Sequence, residues 1–212
     1  MKRPDERCFL CDSADRITRD HIPPKALFSR PLPADLITVP CCYDCNHGFH
    51  KQDELFRLFV SGAFNRNIQG DAVWKRVEER TIKRQRLKHE IRSLAESATM
   101  AKLTTPTGVL HLPFVTLPQT EISGTLIRIV KGLIFHHFPT IPRNDLAYSA
   151  VQVNQTKLIH YLDPILPSLL LRQTIGEGAF RYWAGLVKGE PRGGIWILMF
   201  YDSMAFAVFH KP

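Results

Sequence analysis

The sequence predicts an α+β protein in three parts. They are a metal-stabilised strand–strand–helix module over residues 1–65, a long basic connecting helix over 66–103, and an α+β unit with an antiparallel sheet over 104–212. Three observations carry this. All five cysteines fall within the first 45 residues, four of them as the pairs Cys8–Cys11 and Cys42–Cys45. Residues 71–99 contain neither Gly nor Pro and are rich in helix formers. From Thr104 onward, short β-branched and aromatic runs are separated by turn signals such as "PRGG" and "DSM".

The module is read element by element. A first strand carries "RIT" and runs into Asp20-His21, where Pro23 and Pro24 end any regular pairing. A loop with a short helix at "PKALFS" follows, then a second strand at "DLITVP" (35–40). The chain then passes through Cys42 and Cys45 into a helix whose apolar side is built from Leu55, Leu58 and Phe59.

Two CxxC pairs supply four soft thiolates on tight turns, the donor set of a tetrahedral structural zinc site. The cytosol keeps thiols reduced, so in a cytosolic chain such clustering points to a local metal site rather than to disulfides. Cys41 is the spare: it could replace Cys42 through a CxxxC spacing, or act as a small buried hydrophobe.

CxxC, then Asp-His with a Pro two residues after the His, then CxxCN at a helix start, together resemble the HNH endonucleases. The resemblance covers residues 8 to about 54. It implies a ββα-metal fold, with His21 as general base and Asp20 and Asn46 as ligands of a catalytic Mg²⁺ or Mn²⁺. His50 is a further candidate ligand or phosphate contact, Asp53 or Glu54 could also reach the metal, and Lys51 could touch DNA backbone. The chemistry suits these residue types. Imidazole, with an ordinary pKa near 6.5, takes a proton from water at neutral pH, and a hard cation needs only one or two protein oxygens. Neighbours on a strand project to opposite faces, so Asp20 and His21 can divide these roles. The family often carries an Asn on the second strand to orient its His; this sequence offers only Asp35 or Thr38.

In the long helix, positions 73, 77, 80, 84, 87, 91, 94 and 98 share one face, apolar at both ends but occupied by Arg80 and Arg84 at its centre. That face could lie along phosphates or be a solvated face balanced by Glu78, Glu79 and Glu90. Beyond it, "GVLHLPFVTLP" reads as strand and residues 120–138 as a mostly buried helix ended by Pro139. "LAYSAVQV", "FRYWAGLV", "GIWILMFYD" and "AFAVFHK" read as strands. His136-His137 reads as packing rather than as a second site.

The 212 residues carry a formal net charge of +8, which suits a polyanionic partner. The longest apolar runs fall far short of a membrane span, and the first residues lack a signal-peptide core, so the expectation is a cytoplasmic protein. The leading functional expectation is a metal-dependent endonuclease acting on nucleic acid, with double-stranded DNA as the first substrate. One centre nicks one strand, so a homodimer or two visits would be needed for a double-strand break. Two alternatives stand beside it: a zinc-knuckle nucleic-acid-binding protein without catalysis, and a nuclease gated by a C-terminal sensing unit in a defence or toxin role.

Overall fold

The computed structural model of the chain describes residues 6–82, 88, 89, 92, 96, 99–105, 108–114, 119–153 and 169–212. It is a mixed helix–strand structure whose largest element is an antiparallel sheet. Strand β1 (Ile17–Ile22) pairs antiparallel with β2 (Ile37–Cys42), with Asp20 opposite Val39 and His21 opposite Thr38. A 3₁₀ turn at Lys25–Leu27 lies between them. Helix α1 (Tyr43–Gly48) starts directly from β2, and α2 (His50–Ser61) continues after Phe49. Leu55, Phe56, Leu58 and Val60 are the buried apolar residues of α2.

Helix α3 (Ile68–Val77) opens on Asn67, whose side chain accepts the Gly70 N–H. The α-helical ladder gives way to a π-helical segment at Glu78–Ile82, and Thr99, which the sequence placed in the same long helix, begins strand β3 (Thr99–Thr105). β3 pairs with β4 (Gly108–Phe114), so the helix expected over 71–99 is interrupted at one end and replaced by strand at the other. Arg84 and much of that segment lie outside the described residues. The four-three apolar spacing could not register these changes of backbone state, because β-branched Thr and Ile fit strand as well as helix.

Helix α4 (Gln119–His137) is followed by β5 (Ala147–Val153), β6 (Leu171–Ile175), β7 (Phe180–Val187), β8 (Glu190–Phe200) and β9 (Met204–Lys211). These five strands form one antiparallel sheet in the order β5-β9-β8-β7-β6. β8 is apolar on successive residues because both faces of the sheet are covered there. Trp196 and Leu198 point into the main core, and Ile197 into a second cluster with Trp183, Ala205 and Ala207. Strands β3 and β6 were absent from the sequence reading; β6, "LRQTI", alternates too weakly to stand out.

α4 is the element that joins the two halves. Leu126, Ile129, Val130, Leu133 and Ile134 recur at helical spacing and are buried. Buried residues from Cys8 to Val208 form one cluster, in which Phe56 of α2 meets Phe200 edge-on at 5.1 Å between ring centroids. After α4, the Arg143 Nε donates to Phe9 O (2.7 Å) and Asn144 Nδ2 to Asp12 (2.9 Å), clamping the first cysteine turn from outside. Among the described residues, no helix is long and apolar enough to cross a membrane.

Candidate active site and metal centre

The N-terminal turn brings Cys8 and Cys11 under β2. The Asp12 N–H closes the turn on Cys8 O (3.0 Å), and the Phe9 N–H donates to Pro40 O (2.9 Å). Cys42 ends β2, and Cys45 lies three residues on, at the facing side of α1's first turn. The four sulfurs lie within 4.8 Å of one another, and Cys11 and Cys42 Sγ are 3.7 Å apart, so this group can hold a metal ion. Burial raises the Cys8 thiol's pKa, but N–H groups of Cys42, Leu10 and Cys11 outweigh it and bring the value down to about 7. Cys41 Sγ sits 3.9 Å from Cys8 Sγ but outside the group of four, and burial pushes its pKa well up. Its place outside the group of four, fully buried, agrees with a hydrophobic role.

Strand alternation separates Asp20 from His21. Asp20 faces inward and is 6% exposed; His21 faces the other way and is half-buried. The Asp20 Oδ1 accepts the His21 backbone N–H at 2.8 Å. Burial and the nearby positive Lys25 and Arg30 lower the His21 pKa, against an opposing pull from Asp20. The lowered pKa favours the neutral imidazole, the state a proton acceptor needs. Asn46 is carried against β1 by α1: its Nδ2 donates to Thr18 Oγ1 (3.0 Å) and Arg19 O (3.3 Å). Thr18 Oγ1 itself donates to Cys41 O (2.8 Å), so both partners of Asn46 must be acceptors. The amide orientation follows, and Oδ1 is the oxygen left for a further contact.

The structure adds a residue that sequence reading missed. Arg128 of α4, 2% exposed, lies between the carboxylates of Asp20 and Asp53. Its Nη1 is 3.5 Å from Asp20 Oδ2, its Nη2 donates to Asp53 Oδ1, and its guanidinium carbon lies 4.4 Å from the centre of the Phe49 ring. Burial raises the pKa of both carboxyl groups above the ordinary value, and Arg128 offsets only part of that rise. The one signal in the sequence was a lone Arg in the apolar run "LIRIV" of a helix read as buried.

The other candidates separate. Asp53 turns to Arg128, while Glu54 approaches Arg57 at 3.5 Å. His50 is exposed, 3.3 Å from His47 across their ring nitrogens, yet close enough for its charge to lower the pKa of Asp20 and Asp53. Lys51 is exposed on α2, and Arg80 is exposed in the π-helical segment, well along the chain from β1. Asp35 accepts the Gly176 N–H at 3.2 Å and so anchors the β6–β7 turn; Thr38, opposite His21 in the ladder, is the second-strand candidate that remains beside it. His137 shares a hydrogen bond with Tyr182 (2.9 Å) in the core. Comparison with protein-family models, curated proteins and solved structures finds no match for this chain.

Proposed function

We propose that the chain is a metal-dependent endonuclease of the HNH type, hydrolysing phosphodiester bonds of nucleic acid, DNA first. The observation that carries the reading is the placement of Asp20-His21 at the end of β1 beside a four-cysteine cage, with the Asn46 amide oriented by two acceptors on the same strand.

Zinc fits the cage. Zn–S bonds of about 2.3 Å in a tetrahedron put sulfurs about 3.8 Å apart, close to the 3.7 Å between Cys11 and Cys42. A zinc held by Cys8, Cys11, Cys42 and Cys45 would be structural: it would tie the first turn to the end of β2 and the start of α1, and so fix Asn46 relative to β1. Asp20 Oδ2 is buried, accepts no hydrogen bond and faces Arg128 Nη1 at 3.5 Å. Asp20 and Asn46 are the residues that would hold Mg²⁺ or Mn²⁺. When bound, such an ion supplies positive charge where the phosphate and its leaving oxygen develop negative charge. His21 is the group that would accept the proton of the attacking water. Asp20, by accepting the His21 N–H, keeps the strand end in place under that imidazole.

The test is nicking of supercoiled plasmid by the full chain, with Mg²⁺, with Mn²⁺ and with EDTA, alongside His21→Ala. A general base contributes about 10²–10⁴-fold to rate, so His21→Ala should abolish cleavage and leave DNA affinity nearly intact. Cleavage within a few-fold of the parent would remove His21 as base. Ion-independent binding without any cleavage would favour a nucleic-acid-binding protein instead.

A further inference from the structure

We infer that the loop over residues 23–36, which joins β1 to β2, is a phosphate-binding lip beside His21, on which Lys25 and Arg30 seat the backbone of duplex DNA. The inference deepens the nuclease reading and rests on it for the role of His21. The lip itself requires no divalent ion.

The loop leaves the end of β1 directly after His21 and holds its cations outward on a fixed frame. Leu27 and Phe28 are buried between the two cations and anchor the loop in the core. The Tyr201 hydroxyl donates to Leu27 O (2.7 Å), and Arg76 Nη1 of α3 donates to Phe28 O (3.2 Å). The backbone between Lys25 and Arg30 is therefore pinned from two other elements. Lys25 and Arg30 are exposed, and both stand close enough to His21 for their charges to act on its imidazole.

These two cations also lack what the other surface arginines have. Arg16 pairs with Asp44 at 2.8 Å, Arg19 with Glu6 at 2.7 Å, Arg66 with Asp71 at 2.8 Å and Arg181 with Asp202 at 3.0 Å. Among the described residues, neither Lys25 nor Arg30 has such a carboxylate partner. The loop's one acid, Asp35, is turned away to accept the Gly176 N–H at 3.2 Å. Uncompensated cations on a pinned loop suit a partner that brings its own negative charge. A phosphodiester backbone does so at regular spacing, and its binding releases condensed counterions. The guanidinium fork and the lysine point charge are both common phosphate contacts. Contacts of this kind position the duplex without reading its sequence, so the lip sets where the backbone lies relative to His21.

The experiment measures binding apart from cleavage. Full-length, zinc-loaded parent is titrated with two short fluorescent DNA duplexes of unrelated sequence, over a range of NaCl and without added divalent ion. Lys25→Gln/Arg30→Gln is compared with Arg16→Gln/Arg19→Gln, which removes the same net charge from residues already paired with acids. Melting temperature and plasmid nicking with Mg²⁺ are recorded for each. In the Lys25→Gln/Arg30→Gln protein, the slope of log affinity against log salt should become shallower by up to about 0.9 per lost contact, alike for both duplexes. The melting temperature should hold, and the Arg16→Gln/Arg19→Gln slope should stay close to that of the parent. An unchanged slope in folded Lys25→Gln/Arg30→Gln protein, or an equal change in both double variants, overturns the lip; nicking by the parent then leaves the nuclease reading standing. A parent that binds with the expected slope change but never cuts overturns the nuclease reading and supports the lip as a binding surface. A parent that binds neither duplex overturns both.

Discussion

Replacing Gly132 by Ala tests the docking of α4 on β1 directly. In a helix interior, Gly→Ala ordinarily gains about 1 kcal/mol from propensity alone. Here the new methyl would lie 2.5 Å from both Cδ1 and Cγ1 of Ile22 and 3.4 Å from its Cγ2. Carbon pairs are comfortable at about 3.5–4.0 Å, so two contacts fall short by roughly an ångström. Ile22 is fully buried and stiff at its branched Cβ, so it cannot swing aside. Overpacking of this kind costs about 1–3 kcal/mol. Taking the middle of that range against the propensity gain, the net is a loss of about 1 kcal/mol, or roughly 2–4 °C in Tm for a chain of this size. Gly48→Ala is the control, since nothing lies within 4 Å of its Cβ position and only the favourable contribution should appear. Ile22→Val, which deletes Cδ1, should be less costly in the Gly132→Ala background than in the parent, with a coupling of about 0.5 kcal/mol or more. Denaturant unfolding of the four-member cycle measures all of this. If Gly132→Ala stabilises the protein as Gly48→Ala does, α4 does not rest on β1 as described.

Two further outcomes follow from the same structure. Removal of metal by a strong chelator, or the Cys8→Ser/Cys42→Ser change, should unfold the first 60 residues and release about one zinc per chain, since metal binding here is coupled to folding; elemental analysis with circular dichroism checks it, and full zinc retention in the double variant counts against the cage. Burial, with His136 adding to it, lowers the His137 pKa to about 4. The folded state therefore holds this imidazole neutral while the unfolded chain takes up a proton near 6.5, so stability is full above about pH 6.5 and falls as pH drops toward 4. Allowing for partial exposure, the loss is on the order of 2 kcal/mol. His137→Gln should flatten the profile of unfolding free energy between those values, and an unchanged slope would assign the acid sensitivity elsewhere.

What the sequence determined by itself is local. Cys8, Cys11, Cys42 and Cys45 could be assigned to one cage because CxxC spacing places two sulfurs on one turn whatever the rest of the chain does. The opposite facing of Asp20 and His21 followed from the two-residue period of a strand, and the α4 and β7–β9 segments followed from apolar periodicity and turn residues. The tertiary structure alone decided what Asp20 faces. Arg128 and Asp53 are 75 residues apart, and Asp35 finds its partner 141 residues away at Gly176. Spacing rules end within a few turns of chain, whereas such pairs form only when packing of the shared core brings distant elements together. Until that core exists, Arg128 is one cation in an apolar helix and Asp53 one acid among several on α2. Their meaning comes from burial: a charge taken out of water requires an opposite charge within reach, and only the folded chain determines which one is there.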